Sequence, residues 1–164
     1  MEDAGRYRAC HRASQPQEGG TLKRIALDTN VLVGLLGPAS GDLRPRLAGR
    51  LQRAVEAGST MHVPFVCLGE FWRTMTEPRG YAVSPEDTSL LLRRALQVMP
   101  PLMPPPNFTD AWLALAQQLR PTGAAVFDVQ IAALCLHHRM DEIWTFDETF
   151  PPVDNLQALN PLAG

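Results

Sequence analysis

The sequence predicts an α/β fold, a three-layer α/β/α sandwich around a short, mostly parallel sheet. Short apolar runs of strand type alternate along the chain with longer runs of helical periodicity, an order typical of parallel sheets with helices on both faces. The 164 residues are enough for one domain with a sizeable core. With 45% hydrophobic and 20% charged residues, the composition is globular rather than disordered.

The first half of the domain contains two predicted strands and three predicted helices. In order, these are a strand over 24–28 (RIALD), a helix from the Thr-Asn pair onward, a helix through Leu43 and Val55, a strand over 60–63 (TMHV) and a helix from Phe65 to Met75. Asp42 is the expected N-cap of the second helix and Gly58 its stop. Pro64 is well placed to open the third helix.

The second half is interrupted by prolines. Its predicted elements are a helix from Ser84 to about Val98, a very short strand at Leu102, a helix over 110–119, a helix from about Ala125 to His138, a strand over 142–146 (EIWTF) and a last short strand near Leu156 and Leu159. Ser84 with Asp87 makes a near-capping box, and Thr109 is the expected cap of the helix over 110–119. The PPLMPPP stretch excludes a central strand because proline lacks the ladder donor.

The organisation and location of the chain are constrained by simpler features. Residues 1–22 are polar and without periodicity, so we expect a flexible N-terminal extension before a domain over 23–164. A formal charge of −2 gives no overall attraction to a polyanion. No run of apolar residues is long enough to span a membrane, and the three cysteines look reduced, so a cytoplasmic protein is expected.

Four acids stand out by their positions in these elements. They are Asp28, Glu70, Asp128 and Asp147. Two of them follow predicted strands, and the carboxyl ends of parallel strands are where ligands bind in such sheets. Each acid also has a local explanation, as a helix cap, a helix-dipole partner, an Asx-turn or a solvated side chain. Together, with too few cations nearby, they favour a hard divalent cation such as Mg²⁺ or Mn²⁺.

The motifs around these acids resemble the PIN-domain ribonucleases, most closely the VapC-type toxins of toxin-antitoxin pairs. The resemblance runs from about Lys23 to the C-terminus and is carried by IALDTNVLV, LGEFW, FDVQIAAL and WTFDETF in that order. It implies the same α/β/α fold. The long N-terminal extension and the proline-rich loop at 100–106 depart from the family pattern, and both bear on substrate access and partner docking.

The resemblance further implies a metal-dependent endoribonuclease. In the family the four acids form the Mg²⁺ or Mn²⁺ site, a role that is implied here for Asp28, Glu70, Asp128 and Asp147. Supporting hydrogen bonds are implied for Thr29, Asn30 and Thr145. The implied partners are an RNA substrate and a cognate antitoxin, and a homodimer is compatible with the family.

Arginines are the expected contacts to the RNA backbone, because Lys23 is the one lysine of the chain. The candidates are Arg46, Arg50 and Arg53, which share a helical stripe, with Arg73 and Arg79. A solvated face is the alternative for the stripe. A P-loop or a dehalogenase-like phosphatase would need a downstream lysine, which the chain lacks. The remaining alternatives are a PIN-like binding module and a housekeeping RNA-processing nuclease without a toxin role.

Overall fold

A computed structural model describes residues 22–38 and 41–163 of the chain. Its elements, in order, are β1 Arg24–Leu27, α1 Thr29–Leu36, α2 Leu43–Glu56, β2 Thr60–Pro64, α3 Phe65–Thr76, α4 Pro85–Leu96, β3 Pro101–Leu102, α5 Phe108–Leu119, α6 Ala125–His137, β4 Glu142–Trp144 and β5 Gln157–Leu159. The α/β prediction is therefore confirmed.

The five strands form one sheet in the order β3-β2-β1-β4-β5, and every pairing is parallel. The central strand β1 pairs Ile25 with Met61 on one side and with Glu142 on the other. All strands therefore end at the same edge. The ladder continues one residue past β1, where the Asp28 amide donates to the Trp144 carbonyl at 3.0 Å, so the ends of β1 and β4 lie side by side.

The core lies on the central strands of this sheet, which are largely buried, whereas the edge strand β5 is mostly exposed. Leu27, Val63 and Ile143 are fully buried, and apolar side chains of the helices pack over them. Buried helix residues of this core include Val31, Leu32, Leu47, Phe71, Met75, Ile131 and Cys135. Deleting one large member, as in Phe71→Ala, would cost about 3–5 kcal/mol by the usual loss of contacts and the cavity left behind.

Asp42 is the N-cap residue of α2 as predicted, although its side chain makes no cap hydrogen bond. Two other predicted boundaries were wrong by two residues. Thr109 is not the cap of α5, because the helix begins at Phe108 after Asn107. The strand predicted over 142–146 ends at Trp144, where the chain turns away to form the site described below.

Other local predictions are confirmed. Ser84 caps α4 by accepting the Asp87 amide at 3.0 Å, with Pro85 in the first turn. Gly58 follows α2 at φ +90°, a conformation that glycine adopts without strain. Residues 1–21, which hold Cys10 and nearly all of the predicted N-terminal extension, lie outside the described residues. No helix in the described part of the chain is long and apolar enough to cross a bilayer.

Candidate functional site

Asp28 is the most buried of the four acids, with 5% of its surface exposed. It directly follows β1 and caps α1, because its Oδ1 accepts the Thr29 amide at 2.6 Å. Its Oδ2 accepts from the Thr145 hydroxyl at 2.6 Å and from the Asn30 amide at 2.9 Å. These three donors leave about one of the four lone-pair positions of the carboxylate, and the Cys67 thiol approaches Oδ1 at a long 4.0 Å, so a cation would compete only with this weak donor.

Thr145 connects this carboxylate to the end of β4. Its hydroxyl donates to Asp28 and accepts from the Asn30 side chain at 3.1 Å and from the Asp147 amide at 3.0 Å. Asn30 in turn accepts the Phe146 amide at 3.0 Å. The Thr145 amide still donates to the Leu159 carbonyl at 2.9 Å, and the next two amides then donate to side chains instead of a neighbouring strand. The observed strand is therefore shorter than the predicted one.

Glu70 reaches the same place from the second turn of α3. Its Oε2 accepts the Thr29 hydroxyl at 2.7 Å, and this bond joins α3 to the first turn of α1. The Glu70 side chain is half-buried rather than facing water. Its Oε1 receives no hydrogen bond from another described residue.

Asp128 and Asp147 complete the cluster. Asp128 lies in the first turn of α6. Asp147 forms an Asx-turn in which Oδ1 accepts both the amide and the hydroxyl of Thr149 at 2.7 Å. The local roles that the sequence suggested for Asp28, Asp128 and Asp147 are thus real, and they leave carboxylate oxygens for a further ligand.

The four carboxylates surround one open pocket of about 380 Å³. Its lining residues are Asp28, Thr29, Asn30, Val33, Glu70, Arg73, Thr74, Tyr81, Asp128 and Asp147. All four acids and two of the three supporting residues predicted from the sequence therefore meet at one place, and Thr145 lies beneath it through its bond to Asp28.

Burial, and after it the charges of neighbouring carboxylates, raises the pKa of two of these acids. Burial, followed by the charges of Asp28, Asp147 and Glu70, raises the pKa of Asp128 to about 6. Burial also raises the pKa of Asp28, with smaller contributions from Glu70 and Asp147, while the Thr145 hydrogen bond opposes the shift. Among the described residues no arginine or lysine forms a salt bridge with any of the four acids, since the ion pair found there joins Lys23 to Glu142. A divalent cation would relieve this repulsion, so the donor set fits the hard cation that the sequence suggests.

Cys67 is a neighbour of the acids that the sequence analysis did not place at the site. Its Sγ lies 4.0 Å from Asp28 Oδ1, and ligand-type atoms of Asp28, Cys67 and Glu70 all lie within 4.8 Å of one another. Burial raises the pKa of the Cys67 thiol, so it remains a neutral thiol beside Asp28. Its position one helical turn before Glu70 is the signal by which the sequence could have placed it here.

The predicted arginines divide between two regions. Arg46, Arg50 and Arg53 line a separate groove of about 410 Å³ with residues 161–163, and the Arg50 guanidinium lies 4.9 Å from the centre of the Trp144 ring. Arg73 instead lines the acidic pocket. Arg79 lies in the α3–α4 loop, is exposed, and does not line either space.

Comparison with known proteins agrees with this geometry. The family profile described as PIN domain matches residues 25–156, which includes all four acids. The chain belongs to the PIN-domain family. Membership of this family supports a nuclease, in agreement with the acidic pocket. A search of curated protein sequences gave no match to the chain.

Solved structures with the same fold include bacterial VapC proteins and their complexes. VapBC2 from Rickettsia felis, solved with a DNA fragment from its promoter, superposes on this PIN domain with a TM-score of 0.63 at 17% identity, covering 83% of this chain and 97% of the other. VapBC-1 from nontypeable Haemophilus influenzae superposes with a TM-score of 0.63 at 17% sequence identity, covering 84% of this chain and 98% of the other. VapC20 from Mycobacterium tuberculosis is described as a Sarcin-Ricin loop cleaving toxin. It superposes with a TM-score of 0.54 at 17% sequence identity, covering 77% of this chain and 92% of the other. At these identities the likeness shows the fold.

Proposed function

We propose that this PIN domain is a divalent-metal-dependent endoribonuclease and the toxin of a toxin-antitoxin pair. The observation that supports the nuclease most is the convergence of four carboxylates from four separate segments on one pocket, with oxygens left over after every local hydrogen bond. A purely structural cluster of this kind would be expected to form salt bridges, and none of the four acids forms one with another described residue, although Arg73 lines the same pocket. A metal-dependent hydrolase needs this arrangement because the cation supplies the missing positive charge.

Asp28, Glu70, Asp128 and Asp147 would hold Mg²⁺ or Mn²⁺. When bound, such a cation supplies Lewis acidity that lowers the pKa of a water molecule and offsets negative charge on phosphate oxygens. The protein's own contribution is to hold these carboxylates in position. Thr145 and Asn30 fix the orientation of Asp28, and Thr29 fixes that of Glu70, so that the carboxylates require no rearrangement when substrate arrives.

RNA is the proposed substrate, with arginines as contacts to its backbone. Arg73 at the pocket is the nearest candidate, followed by Arg79 and by the groove of Arg46, Arg50 and Arg53. A neighbouring space of about 300 Å³ shares Asp147 with the acidic pocket and is also lined by Asn160, which directly precedes the segment 161–163 of the arginine groove. RNA leaving the acidic pocket would follow this surface toward the arginines.

The toxin role and the antitoxin partner are proposed by analogy with structural neighbours that are VapBC and FitAB assemblies. A homodimer is proposed on the same basis. The second candidate, a PIN-like module whose acids serve only to bind a partner or a structural metal, predicts no cleavage. A housekeeping RNA-processing nuclease predicts cleavage without growth arrest.

A cleavage assay separates these functions. We expect the purified protein to cleave RNA in Mg²⁺ or Mn²⁺, to lose that activity in EDTA, and to lose it in Asp28→Asn and Asp128→Asn with the fold retained. Asp110→Asn is the matched control, because Asp110 occupies the first turn of α5 as Asp128 does that of α6, outside the pocket. Full activity of either pocket variant would refute the assignment.

A further inference from the structure

The loop between α3 and α4 places an aromatic ring at the acidic pocket. Tyr81 lines the pocket beside Arg73 and Thr74, and 38% of its surface is exposed. The core does not need this ring, since Tyr81 is not among the residues that form or support it. An exposed aromatic side chain beside a catalytic pocket is therefore available to a ligand.

The backbone of this loop is held in a conformation that alanine disfavours. Ala82 has φ +51°, where its Cβ crowds the backbone carbonyl. The amide of Ala82 donates to the Glu77 carbonyl at 3.2 Å, and that of Val83 donates to the Met75 carbonyl at 2.9 Å. These bonds fix the residues on the C-terminal side of Tyr81 against the end of α3, so the ring is presented by a structured turn.

Ala82 differs from the other described residues with positive φ and a side chain. Arg120 and Arg139 follow the ends of α5 and α6, where left-handed residues commonly terminate helices. Asn155 is of a type that tolerates this conformation. Ala82 has neither explanation, and backbone strain of this kind is concentrated where it positions functional groups.

Arg73 supplies a positive charge at the same rim. It follows Glu70 by three residues on α3, so both project from one face of the helix. Among the described residues that line the pocket it is the one basic side chain, and it forms no salt bridge with another described residue. The rim therefore carries a guanidinium that can bind a phosphate and an aromatic ring that can stack on a base.

We propose that Tyr81 and Arg73 form a nucleotide subsite, in which the Tyr81 ring stacks on an unpaired base and Arg73 binds a phosphate adjacent to the scissile one. This inference rests on the proposed ribonuclease function and adds the residues that would select RNA with an unpaired nucleotide at the cleavage site. A base inside a duplex is already stacked on both faces and cannot also stack on the Tyr81 ring. Tyr81 would be a positioning residue for the substrate.

Binding of short fluorescein-labelled oligonucleotides tests the subsite, measured by anisotropy with Ca²⁺ in place of Mg²⁺ or Mn²⁺. The probes are single-stranded oligoadenylate, an abasic ribose-phosphate chain of equal length, and the adenylate-uridylate duplex. Tyr81→Leu is expected to weaken oligoadenylate binding by about 5- to 150-fold, the range for loss of one stacked base. The variant and the wild type are expected to bind the abasic chain and the duplex equally.

Four further variants separate base stacking and phosphate binding from altered packing. Tyr81→Phe keeps the ring and is expected to bind oligoadenylate as the wild type does. Phe65→Leu alters an aromatic residue of similar exposure, 46%, outside the pocket and is expected to have no effect. Arg73→Gln is expected to weaken both single-stranded probes alike and to reduce the salt slope of binding by about 0.7, whereas Arg73→Lys preserves that slope.

Unchanged oligoadenylate binding in Tyr81→Leu, or an equal loss on the abasic chain, would overturn the subsite while leaving the ribonuclease assignment intact. Wild-type protein that neither binds these probes nor cleaves RNA would overturn the ribonuclease function and the subsite together. Tighter binding of the duplex than of the single strand would likewise refute the proposed substrate class.

Discussion

Replacing Asp128 by Asn is expected to stabilise the protein when no metal is present. The pKa of Asp128 is raised from 3.8 to about 6, so the folded state resists its ionisation. That difference corresponds to at most about 3 kcal/mol. Asp128 is only partly buried, and solvent screening reduces the effect to about 1 kcal/mol, or roughly 2–4 °C in Tm for a domain of this size.

The sign of this effect depends on pH. Below about pH 4, Asp128 is protonated in both the folded and the unfolded state, so its ionisation does not lower the stability of the wild type. Between about 4 and 6 the folded state retains a proton that the unfolded state has lost, so wild-type stability falls as pH rises. The advantage of Asp128→Asn is therefore expected to be small at pH 4, to grow up to about pH 6 and to remain constant above pH 7.

Thermal melts in EDTA across this pH range are the assay, with Asp110→Asn as control. Both acids lie in the first turn of a helix and interact favourably with its dipole, by about 0.3–1 kcal/mol. Only Asp128 belongs to the acidic cluster, so only its replacement is expected to raise the Tm of the protein. Saturating Mn²⁺ is expected to reverse the order, because binding to the folded state adds about 2.7 kcal/mol at a hundred times the Kd. A variant that melts at or below the wild type in EDTA at pH 7.5 would refute the repulsion argument.

Three further outcomes are expected. Thr145→Val removes a donor to Asp28 and an acceptor for Asn30. Chemical denaturation is expected to show a free energy of unfolding lower by about 1–3 kcal/mol, together with reduced cleavage. Unchanged stability and cleavage would mean that Thr145 does not hold Asp28. Deletion of residues 1–22 is expected to preserve folding and cleavage, and loss of either would identify a functional arm. Expression alone is expected to slow growth until a cognate antitoxin is co-expressed, and harmless expression of active enzyme would favour a housekeeping nuclease.

The strand ends were the part of the site most accessible to sequence reasoning. Asp28 stands where an apolar run stops, and parallel strands must end at one edge, so Asp28 and the residues after Trp144 could be placed together. Glu70 and Asp128 were recognised as acids within apolar helices, but the pattern left open whether each faced water or a site. The family resemblance then supplied the shared metal role.

The remaining features depend on contacts that leave no periodic signal. The early end of β4 is set by hydrogen bonds from Asn30 and Thr145, more than a hundred residues apart in sequence. Tyr81 reaches the pocket through an irregular loop, and its position depends on the conformation of Ala82 rather than on any sequence pattern. The failed cap at Thr109 shows that a suitable residue type does not fix where a helix begins, and Asp42 shows that a residue at the N-cap position need not form the cap hydrogen bond.

Locating a bound cation directly is the sharpest test of the central claim. Crystals of the wild-type protein soaked in Mn²⁺ and measured near the manganese absorption edge are expected to show an anomalous peak in contact with the carboxylates of Asp28 and Asp128. Crystals of Asp128→Asn are expected to lose or weaken that peak, whereas those of Asp110→Asn retain it. A wild-type protein that cleaves RNA in Mn²⁺ but shows no manganese in this pocket would contradict the account.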